Sequence, residues 1–282
     1  MTASVTGDGL VSGRINPGAR VISLVIPTFN ESANVVELLA QLDAALPPQA
    51  PCEVIFVDDS TDDTPAVITE AARNSRLTVT VRHRQAPEGG LGGAVVMGLR
   101  EASAPWIVVM DADLQHPPAL VPDLITAGER ADADLVVASR YAVGGSRGGL
   151  DGGFRKFASG GTTALAKVFF PRRLGTVSDP MSGFFAVRAT ALDTDVLRPL
   201  GYKILLELIV RCRLGRVAEV PYQFQNRFAG ESKANIGEGL RFLRHLVMLR
   251  VSSVSSSLTR LARPGRRTAA PGVQEVHASE VQ

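Results

Sequence analysis

Cysteine is almost absent from this 282-residue chain: only Cys52 and Cys212 occur, and neither stands in a CxxC or comparable spacing. That excludes a disulfide scaffold and a thiolate metal site, and both are expected as buried free thiols in a reducing compartment. Long apolar runs are also missing. No stretch of about 18 apolar residues occurs, so nothing in the sequence spans a bilayer as a helix. The first 20 residues, rich in Gly, Ser and Thr, lack the apolar core of a signal peptide and read as a disordered leader. There are no internal repeats and no Gly-Lys-Ser/Thr of a phosphate-binding loop.

What is present suits one large α/β domain. Hydrophobic residues make up 45% of the chain, enough for a sizeable core. The formal net charge of +2 hides an uneven distribution, because Arg241, Arg244, Arg250, Arg260, Arg263, Arg266 and Arg267 crowd the C-terminal stretch. Such an end suits acidic phosphates or an anionic membrane. The organisation expected is a leader (1–20), a catalytic domain (21–236), an amphipathic helix (237–258) and a disordered basic tail (259–282).

Short β-branched runs alternate with helical patterns, the signature of a mostly parallel sheet flanked by helices. Strands are expected at Val21–Ile26, Glu53–Val57, Thr78–Arg82, Trp106–Met110 and Leu135–Ala138. Helices are expected at Ala33–Ala45, Pro65–Ser75, Ala94–Ala102 and Pro118–Ala131. Beyond a Gly-rich link at Gly144–Gly153, a helix near Arg155–Phe169, a strand at Phe184–Val187 and a helix near Ile204–Leu214 make up a second half, read as the acceptor side. Open α/β sheets bind ligands outside the carboxyl ends of their strands. Asp58 and Asp59 follow the second strand, Asp111 and Asp113 the fourth, so both clusters are expected to line one crevice.

The strongest local signal is Val108–Val109–Met110–Asp111–Ala112–Asp113, an apolar strand running into two carboxylates one residue apart. Hard divalent cations take clustered oxygen ligands, and a nucleotide diphosphate completes the shell, which points to Mg²⁺ or Mn²⁺. The Gln115 side-chain carbonyl can reach the same ion. Haloacid-dehalogenase-type phosphatases also place Asp-x-Asp after a strand, but with Thr or Val two residues beyond the second Asp and on the first strand of the fold. Here that residue is Gln115 and the strand is the fourth. The run Gly89–Gly90–Leu91–Gly92–Gly93 either approaches a phosphate through backbone N–H groups or makes a tight turn that lets the next helix pack closely.

Pro27–Thr28–Phe29–Asn30–Glu31, Val57–Asp58–Asp59–Ser60–Thr61–Asp62, Gly90–Leu91–Gly92, Asp111–Ala112–Asp113–Leu114–Gln115, Ser139–Arg140–Tyr141, Ser178–Asp179 and Gly230–Glu231–Ser232–Lys233 follow one another in the chain. In that order they resemble the polyprenol (dolichol) monophosphomannose synthases among the family 2 glycosyltransferases, over roughly Val21 to Arg250. The resemblance implies a GT-A fold and an inverting transfer of a hexose from a nucleotide-sugar, foremost mannose from GDP-mannose, onto a polyprenyl monophosphate. It implies that Pro27, Phe29, Glu31, Val57 and Asp59 hold base and ribose, with Phe29 in place of the more usual Tyr. It further implies that Asp111, Ala112 and Asp113 meet the pyrophosphate and its metal, with Gln115 as third ligand. Arg227 and Lys233 then contact the donor's diphosphate from a mobile loop, and Arg140, Arg155 and Ser159 receive the lipid phosphate. Phe185, where the synthases often carry Arg, and Gly160–Gly161–Thr162 depart from the pattern on the acceptor side.

Chemistry agrees with these roles. Asp113, Arg227 and Lys233 would stabilise charge on the leaving diphosphate. Arg155 and Ser159, four apart on a helix, project from one face. A lipid monophosphate, with a second pKa of about 6, is already an anionic nucleophile and requires no general base. Gly230 and Gly237 suit hinges of a loop closing over the donor. From Leu240 to Val251 apolar residues spread over a broad helical arc with Arg241, Arg244 and His245 opposite; such a helix either lies in a bilayer interface or packs on the domain. Placement on the cytoplasmic face of a membrane, with or without a membrane-protein partner, follows from this reading, and no nucleic-acid partner is expected. Two alternatives stand beside it: a glucosyl or other hexosyl transfer from a UDP-sugar, and an inactive GT-A partner protein. Intact Asp111, Asp113, Arg227 and Lys233 speak against the second.

Overall fold

The computed structural model describes residues 21–145, 153–199, 203–212, 214–225 and 242–251, with the backbone path alone for 153–160. Seven strands, β1 (Ile22–Thr28), β2 (Cys52–Asp58), β3 (Thr78–His83), β4 (Trp106–Val109), β5 (Leu135–Ser139), β6 (Phe185–Arg188) and β7 (Val217–Pro221), form one sheet in the order β3-β2-β1-β4-β6-β5-β7. All pairings are parallel except those of β6, which runs antiparallel between β4 and β5. Every residue of β1, β2, β4 and β5 is buried, the pattern of strands covered on both faces.

The two faces have separate cores. Leu24, Ile26 and Phe56 point toward α1 (Ser32–Ala45), α2 (Thr64–Ala72) and α4 (Val121–Arg130). Val25, Val109 and Phe185 point the other way, into a cluster shared with α3 (Gly90–Glu101), α5 (Gly153–Phe169), α6 (Pro171–Leu174), α7 (Ile204–Arg211) and a helix over residues 242–251, here α8. The alternation along β1 therefore feeds both layers.

The strands and helices expected in the first 140 residues are present, with shifted ends. α3 begins at Gly90 rather than Ala94, because Gly92 and Gly93, expected in the turn, already lie within the helix. β7 was not expected from the sequence. It is a half-buried edge strand of five residues ending at Pro221, too short and too mixed to stand out.

α8 corrects one expectation. His245, assigned to the polar edge with Arg241 and Arg244, is buried, and its Nε2 lies 3.3 Å from Oε2 of the fully buried Glu207 on α7. Glu207 also pairs with Arg211 Nε at 2.9 Å, and its Oε1 accepts the Arg198 backbone N–H. His245 therefore turns inward beside this buried carboxylate. Phe242, Leu246 and Leu249 join the core beside it, whereas Leu243, Val247, Met248 and Val251 stay exposed.

α3 lies close on β1, and a Cβ on Gly98 would fall 2.3 Å from Val25 Cγ1. Overpacking of this kind costs about 1–3 kcal/mol. Gly98→Ala is therefore expected to lower the urea midpoint at unchanged slope, and an unshifted midpoint would show that α3 can move off the sheet freely.

Candidate functional site

The chain reverses its winding between β1 and β4, and at the carboxyl ends of these strands a cavity of about 540 Å³ opens. Its walls are Pro27 near the end of β1, Phe29 and Glu31 after it, Asp59 after β2, Gly90, Leu91 and Ala94 at the start of α3, and Asp111, Ala112 and Asp113 after β4. Phe29 is 48% exposed, an aromatic face held at the mouth rather than in the core. Of the residues expected to hold base and ribose, only Val57 stays away from the cavity: it is wholly buried against Ala94 between sheet and helix.

The two adjacent carboxylates after β2 do different work. Asp58 is fully buried: Oδ1 accepts from Thr28 Oγ1 (2.7 Å) and Ser60 Oγ (2.5 Å), while Oδ2 accepts from Ser60 N (3.2 Å) and lies 2.7 Å from His83 Nδ1. It ties the ends of β1, β2 and β3 together and does not line the crevice, contrary to the expectation for the pair. Asp59 faces the cavity.

The turn after β4 is tight and strained. Leu114 has φ +62°, a left-handed conformation that a leucine adopts only when its surroundings impose it, and it is buried. The turn aims both carboxylates at the cavity and lets Gln115 N donate to Asp113 Oδ1 at 3.1 Å. Gln115 Nε2 donates to Gln225 O (3.1 Å), and Gln115, expected as the third ligand, does not line the cavity. The two carboxylates make a hard oxygen set that fits a divalent cation sharing its shell with a diphosphate. Among the described residues no group of three or more His, Cys, Asp or Glu forms a self-sufficient metal site.

Sequence reasoning missed His116. The ring is buried against Phe184, Tyr222 and Phe224, and Nδ1 accepts the backbone N–H of Asp111 at 3.0 Å. Burial pushes this imidazole down to about 4, only partly opposed by the negative charge of Asp113. It is therefore neutral at physiological pH, with its proton on Nε2. The only signal in the sequence was its position, one residue beyond Gln115.

A smaller cavity, about 150 Å³, adjoins the first across Asp111 and Leu91 and includes His116, Arg140, Lys203 and Phe224 in its wall. Arg140 is gripped by the fully buried Asp179, with Nε–Oδ2 at 2.7 Å and Nη2–Oδ1 at 2.9 Å, and lies over Phe224 and Tyr141. Burial alone would lower the guanidinium pKa, but the hydrogen bonds and charge of Asp179 outweigh it and hold the group above its usual range. Asp179 in turn is placed by Glu219 Oε1 of β7, which accepts Ser178 N (2.7 Å) and Asp179 N (3.4 Å). Arg155 and Ser159 lie on the backbone of α5, one turn apart; Arg227, Lys233, Gly230 and Gly237 lie outside the described residues.

Residues 23–193 match the family model "Glycosyl transferase family 2". The chain belongs to this family. It is 38% identical over 230 residues to a dolichol-phosphate mannosyltransferase of Pyrococcus furiosus, covering 81% of this chain but 63% of that longer protein. It is 36% identical to the dolichol-phosphate mannosyltransferase of Mycosarcoma maydis, over 80% of this chain and 78% of that one. Among solved structures, Mycobacterium tuberculosis glucosyl-3-phosphoglycerate synthase in complex with phosphoglyceric acid superposes with a TM-score of 0.60 at 25% identity, covering 83% and 80% of the two chains. A complex of the same synthase with Mn²⁺ and UDP-glucose gives 0.59 at 24% identity. The glycosyltransferase fold thus carries the cavity just described.

Because His116 is neutral when folded and has an ordinary pKa of 6.5 when unfolded, the unfolded chain binds the extra proton below that value. Stability from this group is complete above about pH 7 and is lost as pH falls toward 4, by about 2 kcal/mol between pH 7 and pH 5. Chemical denaturation of the metal-free protein should show this loss, and His116→Phe should flatten that part of the profile.

Proposed function

We propose that this glycosyltransferase moves a hexose, foremost mannose from GDP-mannose, onto a polyprenyl monophosphate with inversion. The observation that carries the reading is the convergence of Phe29, Glu31, Asp59, Asp111 and Asp113 on one cavity at the carboxyl ends of β1, β2 and β4. The acceptor class is supported by the dolichol-phosphate mannosyltransferases to which the chain is similar in sequence.

Phe29 offers its ring to the base at the cavity mouth, and Asp59 and Glu31 offer carboxylates to base and ribose donors. A divalent cation, Mg²⁺ or Mn²⁺, held by Asp111 and Asp113 would supply electrophilic stabilisation of the departing diphosphate. His116 keeps the Asp111 backbone in place from behind. Arg227 and Lys233 are assigned to the same diphosphate by their sequence motif. On the other side of Asp111, Arg140 keeps a fixed positive charge at the small cavity, suited to an entering phosphate, with Arg155 and Ser159 on α5 as its further ligands. The acceptor arrives as an anion, so no side chain needs to remove a proton before attack.

A lipid acceptor requires access to a bilayer, and among the described residues no helix is long and apolar enough to cross one. We assign access to the face bearing α5, α6 and α8. Residues 153–175 carry five Lys/Arg and no Asp or Glu; residues 241–267 carry seven Arg and again no Asp or Glu. Within these segments Val168, Leu243, Val247, Met248 and Val251 are exposed beside exposed Arg172, Arg173 and Arg244. Aliphatic side chains among cations suit the headgroup boundary of an anionic leaflet, on the cytoplasmic side where such lipids concentrate.

Two measurements check this reading. With membranes, Mg²⁺ or Mn²⁺ and a panel of radiolabelled nucleotide-sugars, label from GDP-mannose should enter the lipid extract and Asp113→Ala should abolish it; label from UDP-glucose alone would move the assignment to a glucosyl donor. In liposome flotation the protein should bind anionic vesicles at low salt, bind less at 1 M salt, where screening shortens to about 3 Å, and bind least as the Leu243→Glu/Val247→Glu variant. Equal flotation of both forms on neutral and anionic vesicles would remove α8 from the membrane face.

A further inference from the structure

Arg84, immediately after β3, is 11% exposed at its side chain and uses four N–H donors at once. Nε reaches Asp59 Oδ1 at 2.6 Å and Nη2 reaches Asp59 Oδ2 at 2.5 Å, a parallel fork-to-carboxylate pair. Nη2 also donates to Gly90 O (2.9 Å) and Nη1 to Glu88 O (3.0 Å). Its own backbone N–H is fixed on Asp58 O at 2.8 Å. One planar group thus joins the end of β2 to the turn that opens α3.

That turn is otherwise held by the Gly93 N–H, which donates to Gly89 O at 3.1 Å, and by Pro199 packed beside Gly89. Gly89 and Gly90 have φ +72° and +56°, and α3 begins without a side-chain cap. Gly93 packs so tightly beneath the turn that a Cβ would meet Glu88 O at 1.9 Å. The two carbonyls that Arg84 collects are therefore the handles by which the turn is tied to the sheet. Asp59 forms one wall of the larger cavity, and Gly90, Leu91 and Ala94 form the facing wall.

We propose that Arg84 is a positioning residue for the donor: it orients the Asp59 carboxylate and sets its distance from the first turn of α3, and so fixes the width of the nucleoside cavity. The inference rests on reading that cavity as the nucleotide site. Lysine in place of Arg84 keeps the charge but, as a single ammonium, cannot hold a carboxylate in a fork and two carbonyls in the same plane.

The test uses the full-length protein, calorimetric titration with GDP and with UDP, and steady-state transfer to a polyprenyl phosphate. Arg84→Lys is expected to weaken nucleotide binding and raise the donor KM by about tenfold or more, while kcat and the acceptor KM stay within about threefold. If Arg84 acts through Asp59, Arg84→Lys should add little to the donor defect of Asp59→Asn, a non-additivity that a double-mutant cycle reads directly. Melting temperatures of all forms separate loss of binding from loss of fold. Equal nucleotide affinity in wild type and Arg84→Lys, or a cycle in which the defects simply add, would overturn the positioning role. Failure of the wild type to bind either nucleotide would instead remove the cavity assignment on which the proposal stands.

Discussion

A carboxyl side chain with no access to water needs hydrogen-bond partners around it, because an unsatisfied buried polar group is costly. Asp58 meets that requirement by drawing the ends of three neighbouring strands onto itself: Thr28 from β1, Ser60 from the loop after β2 and His83 from β3. Everything that faces the donor cavity from this side is attached to the strand ends so gathered. Phe29 follows Thr28, Asp59 follows Asp58 and Arg84 follows His83. The rim is tied together by the hydrogen bonds that converge on this one buried side chain.

The opposite rim is built by the same logic with different groups. Asp179 is sealed from solvent and satisfied by the fork of Arg140, and its own backbone is held by Glu219 of β7. Breaking such a buried pair by removing one partner costs about 3–5 kcal/mol. Between the two rims, His116 and the strained Leu114 fix the turn that presents Asp111 and Asp113. The residues that would touch substrate are few, and each rests on a buried polar contact one layer further in.

This layering explains what could be read from the sequence. The strands of the first 140 residues were legible because continuous β-branched runs covered on both faces have few other solutions, and the carboxylates of Asp59, Asp111 and Asp113 because they stand at strand ends where such sheets bind ligands. Asp58 was misjudged because adjacency in sequence says nothing about which of two carboxylates turns inward. Arg84 and His116 were passed over, and Asp179 was quoted within a motif but given no role, because what they do depends on partners 25, 5 and 39 residues away. His245 looked polar on a helical projection for the same reason, since Glu207, its partner, lies on another helix. β7 carried too little pattern in five residues to announce itself.

The antiparallel β6 has a consequence for how the chain reaches this state. It sits between β4 and β5, pairing Phe185 with both Val109 and Val137, although it follows both of them in sequence. During synthesis β4 and β5 emerge with no strand to join them, so the open edge of β4, which ends at Val109, stays unpaired until β6 begins at Phe185. The N-terminal half can assemble its four parallel strands early. The second half closes only through a long-range insertion, and that step carries the loop closures that slow folding. A ribosome-bound fragment ending before Phe185 would present an unpaired sheet edge beside the residues that later form the donor cavity.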